Sequence, residues 1–274
     1  MASPETTIVG STPGDALIKP MLGIEPETPV DFIRWHLVLR DGQKSFVLSV
    51  RYGVGKPNTR DFEGGGVERI FDGSYDVTKE GSREILTLRS GKMNHPVSLI
   101  KLSDDLFHVL TPDKRLMVST GGWSYTLSRQ NSSSSRSRAL ISFEKPTGDS
   151  PQAVFVGRTP CQDLAKEYSW QVGEDCLKLK WKLTLFRDSK TGKPTSYNLQ
   201  RTLHRSEPIE GSWTVVKGTK TDPKAIVYRL DPDKPDISLS FLVGDENVLF
   251  FIDKEGRLYG GNEDFSYTLN RRNE

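Results

Sequence analysis

The heptapeptide Trp123-Ser-Tyr-Thr-Leu-Ser-Arg129 returns near the C-terminus as Phe265-Ser-Tyr-Thr-Leu-Asn-Arg271, an aromatic-Ser-Tyr-Thr-Leu-x-Arg signature too specific for chance. The match extends backwards through both halves. Asp113-Lys-Arg-Leu116 pairs with Glu255-Gly-Arg-Leu258, and Gly73-Ser-Tyr-Asp-Val77 with Gly211-Ser-Trp-Thr-Val215. At the front of each copy, Val9-Gly-Ser-Thr-Pro-Gly14 pairs with Val156-Gly-Arg-Thr-Pro-Cys161, and Trp35-His-Leu-Val-Leu39 with Trp181-Lys-Leu-Thr-Leu185. A chain of 274 residues is long enough for two small cores. The reading is therefore a tandem duplication, with repeats at 1–129 and 153–274 joined by a linker at 130–152. The polar run Gln130-Asn-Ser-Ser-Ser-Ser-Arg-Ser-Arg138 marks that linker as a solvated loop, with protease cutting expected near Ser132 to Ser135.

Within each repeat, apolar residues alternate with a period of two, clearest in Lys178-Leu-Lys-Trp-Lys-Leu-Thr-Leu185, where Leu179, Trp181, Leu183 and Leu185 share one face. Phe46, Leu48, Val50 and Tyr52 repeat the pattern in the first copy; Tyr197, Leu199, Arg201 and Leu203 repeat it in the second with an arginine inserted. Further strands are expected at 74–78, 84–89, 97–102, 106–111 and 123–128, with counterparts at 212–216, 225–230, 236–243, 248–253 and 265–270. Arg40-Asp-Gly42, Ser189-Lys-Thr-Gly192, Lys254-Glu-Gly256 and Asp231-Pro-Asp233 supply turn chemistry between them. The expected fold is all-β: two tandem small antiparallel barrels of about eight strands each, because closure removes exposed edges. A sandwich is the alternative.

One short helical signal interrupts each copy. Thr159-Pro-Cys-Gln162 offers an N-cap, a proline at the first helical position and a capping-box glutamine ahead of Leu164-Ala-Lys-Glu-Tyr168. In the first copy Pro20 limits the equivalent segment to about a turn. The only cysteines, Cys161 and Cys176, admit three readings: a disulfide in an exported protein, two reduced core thiols, or metal ligands. The disulfide is the pairing expected.

Composition narrows the function. A net charge of +2 lacks the basic excess that tracks a phosphate backbone, so no nucleic-acid partner is expected. No apolar run of about 18 residues is present, so no transmembrane helix is expected. His36, His95, His108 and His204 lack metal-ligand spacing, no nucleophile-elbow motif occurs, and Gly64-Gly-Gly66 follows no phosphate-loop pattern. The expectation is a non-enzymatic protein without metal or other cofactor. The repeated aromatics Trp35 with Trp181 and Tyr75 with Trp213 read as barrel core or as the lining of a cavity. On the second reading Trp35, Trp181, Tyr197, Arg201 and Trp213 are the candidate ligand-binding residues, with Arg201 as an anion anchor.

From Phe155-Val-Gly-Arg-Thr-Pro-Cys161 onward the second repeat resembles the N-terminal domain of the NlpE-type copper-resistance and envelope-stress lipoproteins. Glu210-Gly-Ser-Trp213, Val248-Leu-Phe-Phe-Ile-Asp-Lys-Glu-Gly-Arg-Leu258 and Tyr267-Thr-Leu-Asn-Arg271 follow that family's order. The resemblance implies a lipocalin-like barrel exported to the bacterial periplasm or outer membrane, with any lipid anchor lying outside this sequence, and a small lipophilic ligand or an envelope protein as partner. The family's second cysteine falls a few residues after its first, whereas Leu164 stands there in this chain. A packed module recognising a protein or glycan partner is the alternative function. The opening Met1-Ala-Ser-Pro-Glu-Thr-Thr7 has no signal-peptide pattern, so export is expected with the signal segment lying outside this sequence.

Overall fold

The computed structural model describes residues 5–119, 122–131, 136–139, 150–202, 204–219, 222–234 and 236–272. The first repeat forms β1 (Glu5–Pro13), β2 (Phe32–Arg40), β3 (Ser45–Gly53), β4 (Val67–Glu80), β5 (Arg83–Arg89), β6 (Val97–Lys101), β7 (Leu106–Leu110) and β8 (Thr126–Arg129). Each strand pairs antiparallel with the next, and β8 returns to β1 through Val9↔Ser128, closing an eight-stranded barrel. After the two-residue β9 (Arg136–Ser137), the second repeat supplies β10 (Gln152–Thr159), α1 (Gln162–Tyr168), β11 (Leu179–Arg187) and β12 (Pro194–Arg201). Then follow β13 (His204–Lys217), β14 (Ile226–Leu230), β15 (Ser240–Val243), β16 (Val248–Ile252), β17 (Leu258–Tyr259) and β18 (Thr268–Arg272). Here β10 to β16 and β18 close a second barrel, with β16 pairing both β15 and β18. Two closed tandem barrels are thus what the period-two pattern encodes.

The alternation explains both interiors. Trp35, Leu37 and Leu39 on β2 face inward opposite Val50, Leu48 and Phe46 on β3, and all six are buried. Each barrel axis is filled by its own contiguous cluster of buried side chains. The two tryptophans of the repeat make the same bond: Trp35 Nε1 donates to Thr12 Oγ1 and Trp181 Nε1 to Thr159 Oγ1, each at 2.9 Å. Gly10 and Gly157 also play one role, because a Cβ there would stand 2.7 Å from Leu127 Cδ2 or 2.6 Å from the Thr268 carbonyl.

Where the barrels meet, equivalent residues meet each other. Thr126 and Thr268 are hydrogen-bonded hydroxyl to hydroxyl at 2.9 Å, Ser124 bonds Ser266, and the His108 ring stands edge-on to Phe250 at 5.8 Å. The cross-bonds are reciprocal too: Ser119 N donates to Asn270 Oδ1 at 3.1 Å, and Gly261 N to Ser128 Oγ at 2.9 Å. This is the contact pattern of a two-fold dimer built inside one chain. An apolar layer seals it, with Ile85, Ile100, Leu106 and Leu110 from one barrel against Val227, Leu242, Val248 and Phe250 from the other.

Three sequence readings change. The signature's Trp123-Ser-Tyr125 and Phe265-Ser-Tyr267 precede β8 and β18 instead of starting them, because their serines turn to face one another across the interface. Thr159 does not cap α1, since its hydroxyl is taken by Trp181 and Cys161 occupies the cap position without a side-chain bond. The linker is anchored in part: Arg136–Ser137 pairs with Leu258–Tyr259. Ser132 to Ser135, where proteolysis is expected, lie outside the described residues.

An apolar interface of this kind leaves each half with a sticky flank when alone. Residues 1–131 and 150–274 produced as two polypeptides are expected to co-purify as a one-to-one complex. Size-exclusion chromatography checks this, and two independently migrating monomers would refute it.

Candidate functional site

The mouth of the second barrel at the α1 end departs most from plain barrel packing. Here α1 lies across the opening, held by Tyr267 Oη to Asp163 Oδ2 at 2.9 Å, Tyr259 Oη to Glu167 Oε2 at 2.6 Å and Tyr168 Oη to the Ser238 carbonyl at 3.2 Å. Burial raises all three phenols well above the ordinary tyrosine range, so they remain donors. Ser169, in a left-handed conformation, ends the helix, and the chain returns to β11 through a segment whose far end the Cys161–Cys176 disulfide ties back to the start of α1. The bridge closes a short loop, which in the chain-entropy account is worth roughly 3 kcal/mol.

That segment delivers Trp170. Its ring stacks on Tyr168 at 5.1 Å, leans on Trp181 at 6.1 Å and lies 3.8 Å from the Arg201 guanidinium carbon. Arg201 ends β12 opposite Trp181 on β11. It is only 7% exposed, its Nε is buried without a hydrogen-bond partner, and it makes no ion pair among the described residues. Burial brings its guanidinium down to about 10, opposed by nearby Tyr197. The mouth therefore holds a buried, uncompensated cation on an aromatic floor, covered by one partly exposed tryptophan.

The structure separates the five candidates. Trp181 and Arg201 are brought together at this mouth. Tyr197 lies four residues back along β12, toward the far end but near enough to act on the Arg201 charge, and its hydroxyl is already engaged, donating to Asp231 Oδ2 at 2.6 Å. Trp213 stands toward the same far end, donating from Nε1 to the Phe186 carbonyl at 2.8 Å and packed edge-on to Tyr228 at 4.9 Å. Trp35 is fully buried in the other barrel. The sequence reading missed Trp170 and Tyr168; the signal was an aromatic pair just past a helix and between the only two cysteines. Among the described residues no group of three His, Cys, Asp or Glu side chains is placed to hold a metal ion.

Fold and site together define a tandem β-barrel protein with one arginine-bearing, disulfide-pinned mouth. Comparison of the chain with protein-family models, curated proteins and solved structures gives no match.

Proposed function

We propose that the chain is a non-enzymatic binding protein of the bacterial envelope, NlpE-like and lipocalin-like in type, whose second barrel takes the acidic end of a small amphiphile at Arg201. The observation that carries this reading is the buried guanidinium, which has no carboxylate partner among the described residues. A natural core seldom keeps a lone charge, since its desolvation is repaid only by a counter-ion. Swinging Trp170 off the guanidinium opens the path, and the disulfide limits that motion to the segment it pins. The disulfide also supports export, because such bridges persist in oxidising compartments. The resemblance around Phe155–Cys161 supports the envelope assignment.

Titration of the full chain with dodecanoate, read by tryptophan fluorescence, tests the site. Saturable binding is expected, with dodecanol at least about tenfold weaker, the value of one buried charge-assisted contact. Native mass spectrometry of the purified protein should show a co-purified mass in the lipid range. If neither probe binds and no adduct appears, the reading fails. The filled axes of both barrels then favour the second reading, a packed module that recognises a protein or glycan on its outer surface.

A further inference from the structure

A second charged feature lies on the seam between the barrels. A cleft of about 160 Å3 opens there, lined among others by Asp31, Phe32, Lys56, Trp123 and Lys178. One wall is an aromatic stack: Phe62 on Phe32 at 4.1 Å and Phe32 on Trp123 at 4.8 Å. The Arg158 guanidinium, from the second barrel, lies 4.7 Å over Trp123, and Lys178 Nζ lies 5.5 Å from the Phe265 ring.

The charges at this cleft do not cancel. Asp264, with its side chain 4% exposed, is met by Arg34 at 2.7 Å and Arg60 at 3.2 Å. Asp31 accepts from Gly55 N at 2.7 Å and also attracts the Arg158 guanidinium, as Asp264 attracts the Lys178 ammonium, so these two carboxylates face the cations Arg34, Arg60, Lys56, Arg158 and Lys178. Lys56, Arg158 and Lys178 make no ion pair and no side-chain hydrogen bond with a described residue. Arg158 and Lys178 are both half-buried, and the Lys178 ammonium is pushed below the ordinary lysine range by burial first and by Arg158 next.

The fold does not need these cations. In the other repeat Ser11 stands where Arg158 does and Phe32 where Lys178 does, and the Ser11 hydroxyl simply donates to the Glu263 carbonyl at 2.7 Å. Asp264 and Asp31 at the cleft are likewise without counterparts, standing where Gly122 and Leu177 do in the other repeat, so the asymmetry adds both signs of charge with the cations in excess.

We propose that this seam cleft is a phosphate-binding site, in which Arg158, Lys178 and Lys56 surround one oxyanion against the Phe32–Trp123 wall. A doubly charged group with several acceptor oxygens suits three unpaired cations that no single carboxylate neutralises. The phosphate is free or carried as an ester, and the site is independent of Arg201.

Calorimetry of the full chain with inorganic phosphate at low salt, run beside co-flotation with phosphatidylglycerol vesicles, tests it. Saturable binding of one phosphate per chain is expected, weakened at least tenfold by Lys178→Gln and further by Arg158→Gln, and unchanged in Arg201→Met. Lys178→Gln removes no ion pair or hydrogen bond with a described residue and relieves a burial penalty, so its melting temperature should not fall below the parent value even if Arg158→Gln loosens the seam. Phosphate binding without flotation identifies a soluble ligand; flotation lost in the same variants identifies a lipid headgroup. Absence of both, or binding that survives both substitutions, overturns the site.

Discussion

Acidification from pH 7.5 to 4 is expected to remove about 3 kcal/mol of stability through one residue, His108. Its ring is fully buried at the barrel interface, edge-on to Phe250. The bonds around it suit a neutral imidazole: Nε2 donates to the Met117 carbonyl at 2.9 Å, and Nδ1 accepts from Thr126 Oγ1 at 2.9 Å, which is in turn bonded to Thr268. Burial brings His108 down from 6.5 to about 4, although the Met117 carbonyl opposes it. Between those values the unfolded chain takes up a proton that the folded chain refuses. Stability is therefore complete above about pH 6.5 and drains away as pH falls toward 4. Half-buried Asp245 and buried Asp264, whose carboxyls desolvation raises, act in the opposite sense. Denaturant unfolding of the parent and of His108→Gln at both pH values isolates the histidine. The parent should lose about 3 kcal/mol more than the variant; parallel losses would show that His108 does not titrate in this way.

Arg201→Met is expected to make the protein more stable while abolishing its preference for dodecanoate over dodecanol. Holding the guanidinium at about 10 instead of its ordinary 12.5 amounts to about 3 kcal/mol of burial cost. Its contact with Trp170 returns about 1–2 kcal/mol, so an apolar replacement of similar length gains on the order of 1–2 kcal/mol. The sign is fixed by the direction of the shift. A base lowered on folding is penalised at every pH below its folded value, and the penalty is relieved only as pH rises from about 10 toward 12.5. The gain should thus be constant from pH 5 to 9, unlike the histidine effect. Thermal unfolding with the two ligand titrations checks it; a variant that melts lower would mean that Arg201 is a structural group with a compensating partner. A residue that costs stability and confers binding is the usual signature of a functional site.

The two-fold arrangement bears on why the duplication persists. Thr126 against Thr268 and the reciprocal Ser119–Asn270 and Gly261–Ser128 bonds require both copies to keep a threonine and a short side-chain acceptor at one strip. That strip is the Ser-Tyr-Thr signature, so the most recognisable motif in the chain marks the interface between its halves.

Repeat, strand period and turn residues are local properties, and they were sufficient to define two closed barrels of about eight strands, because a side chain on a strand faces inward or outward according to parity alone. The cysteine pair was legible for the same reason, being the only two in the chain. Which aromatics share a mouth was not legible. Trp181 and Arg201 adjoin only through the β11–β12 register, Tyr197 and Trp213 are carried to the other end by strand length, and Trp170 enters through a loop with no periodicity. His108 looked like one scattered histidine because its burial comes from the partner barrel, which no window of sequence contains. The seam cleft is likewise built from residues of both repeats. Parity and turns act between neighbours along the chain, whereas desolvation and uncompensated charge depend on everything that closes around a group, and only the tertiary structure decides that.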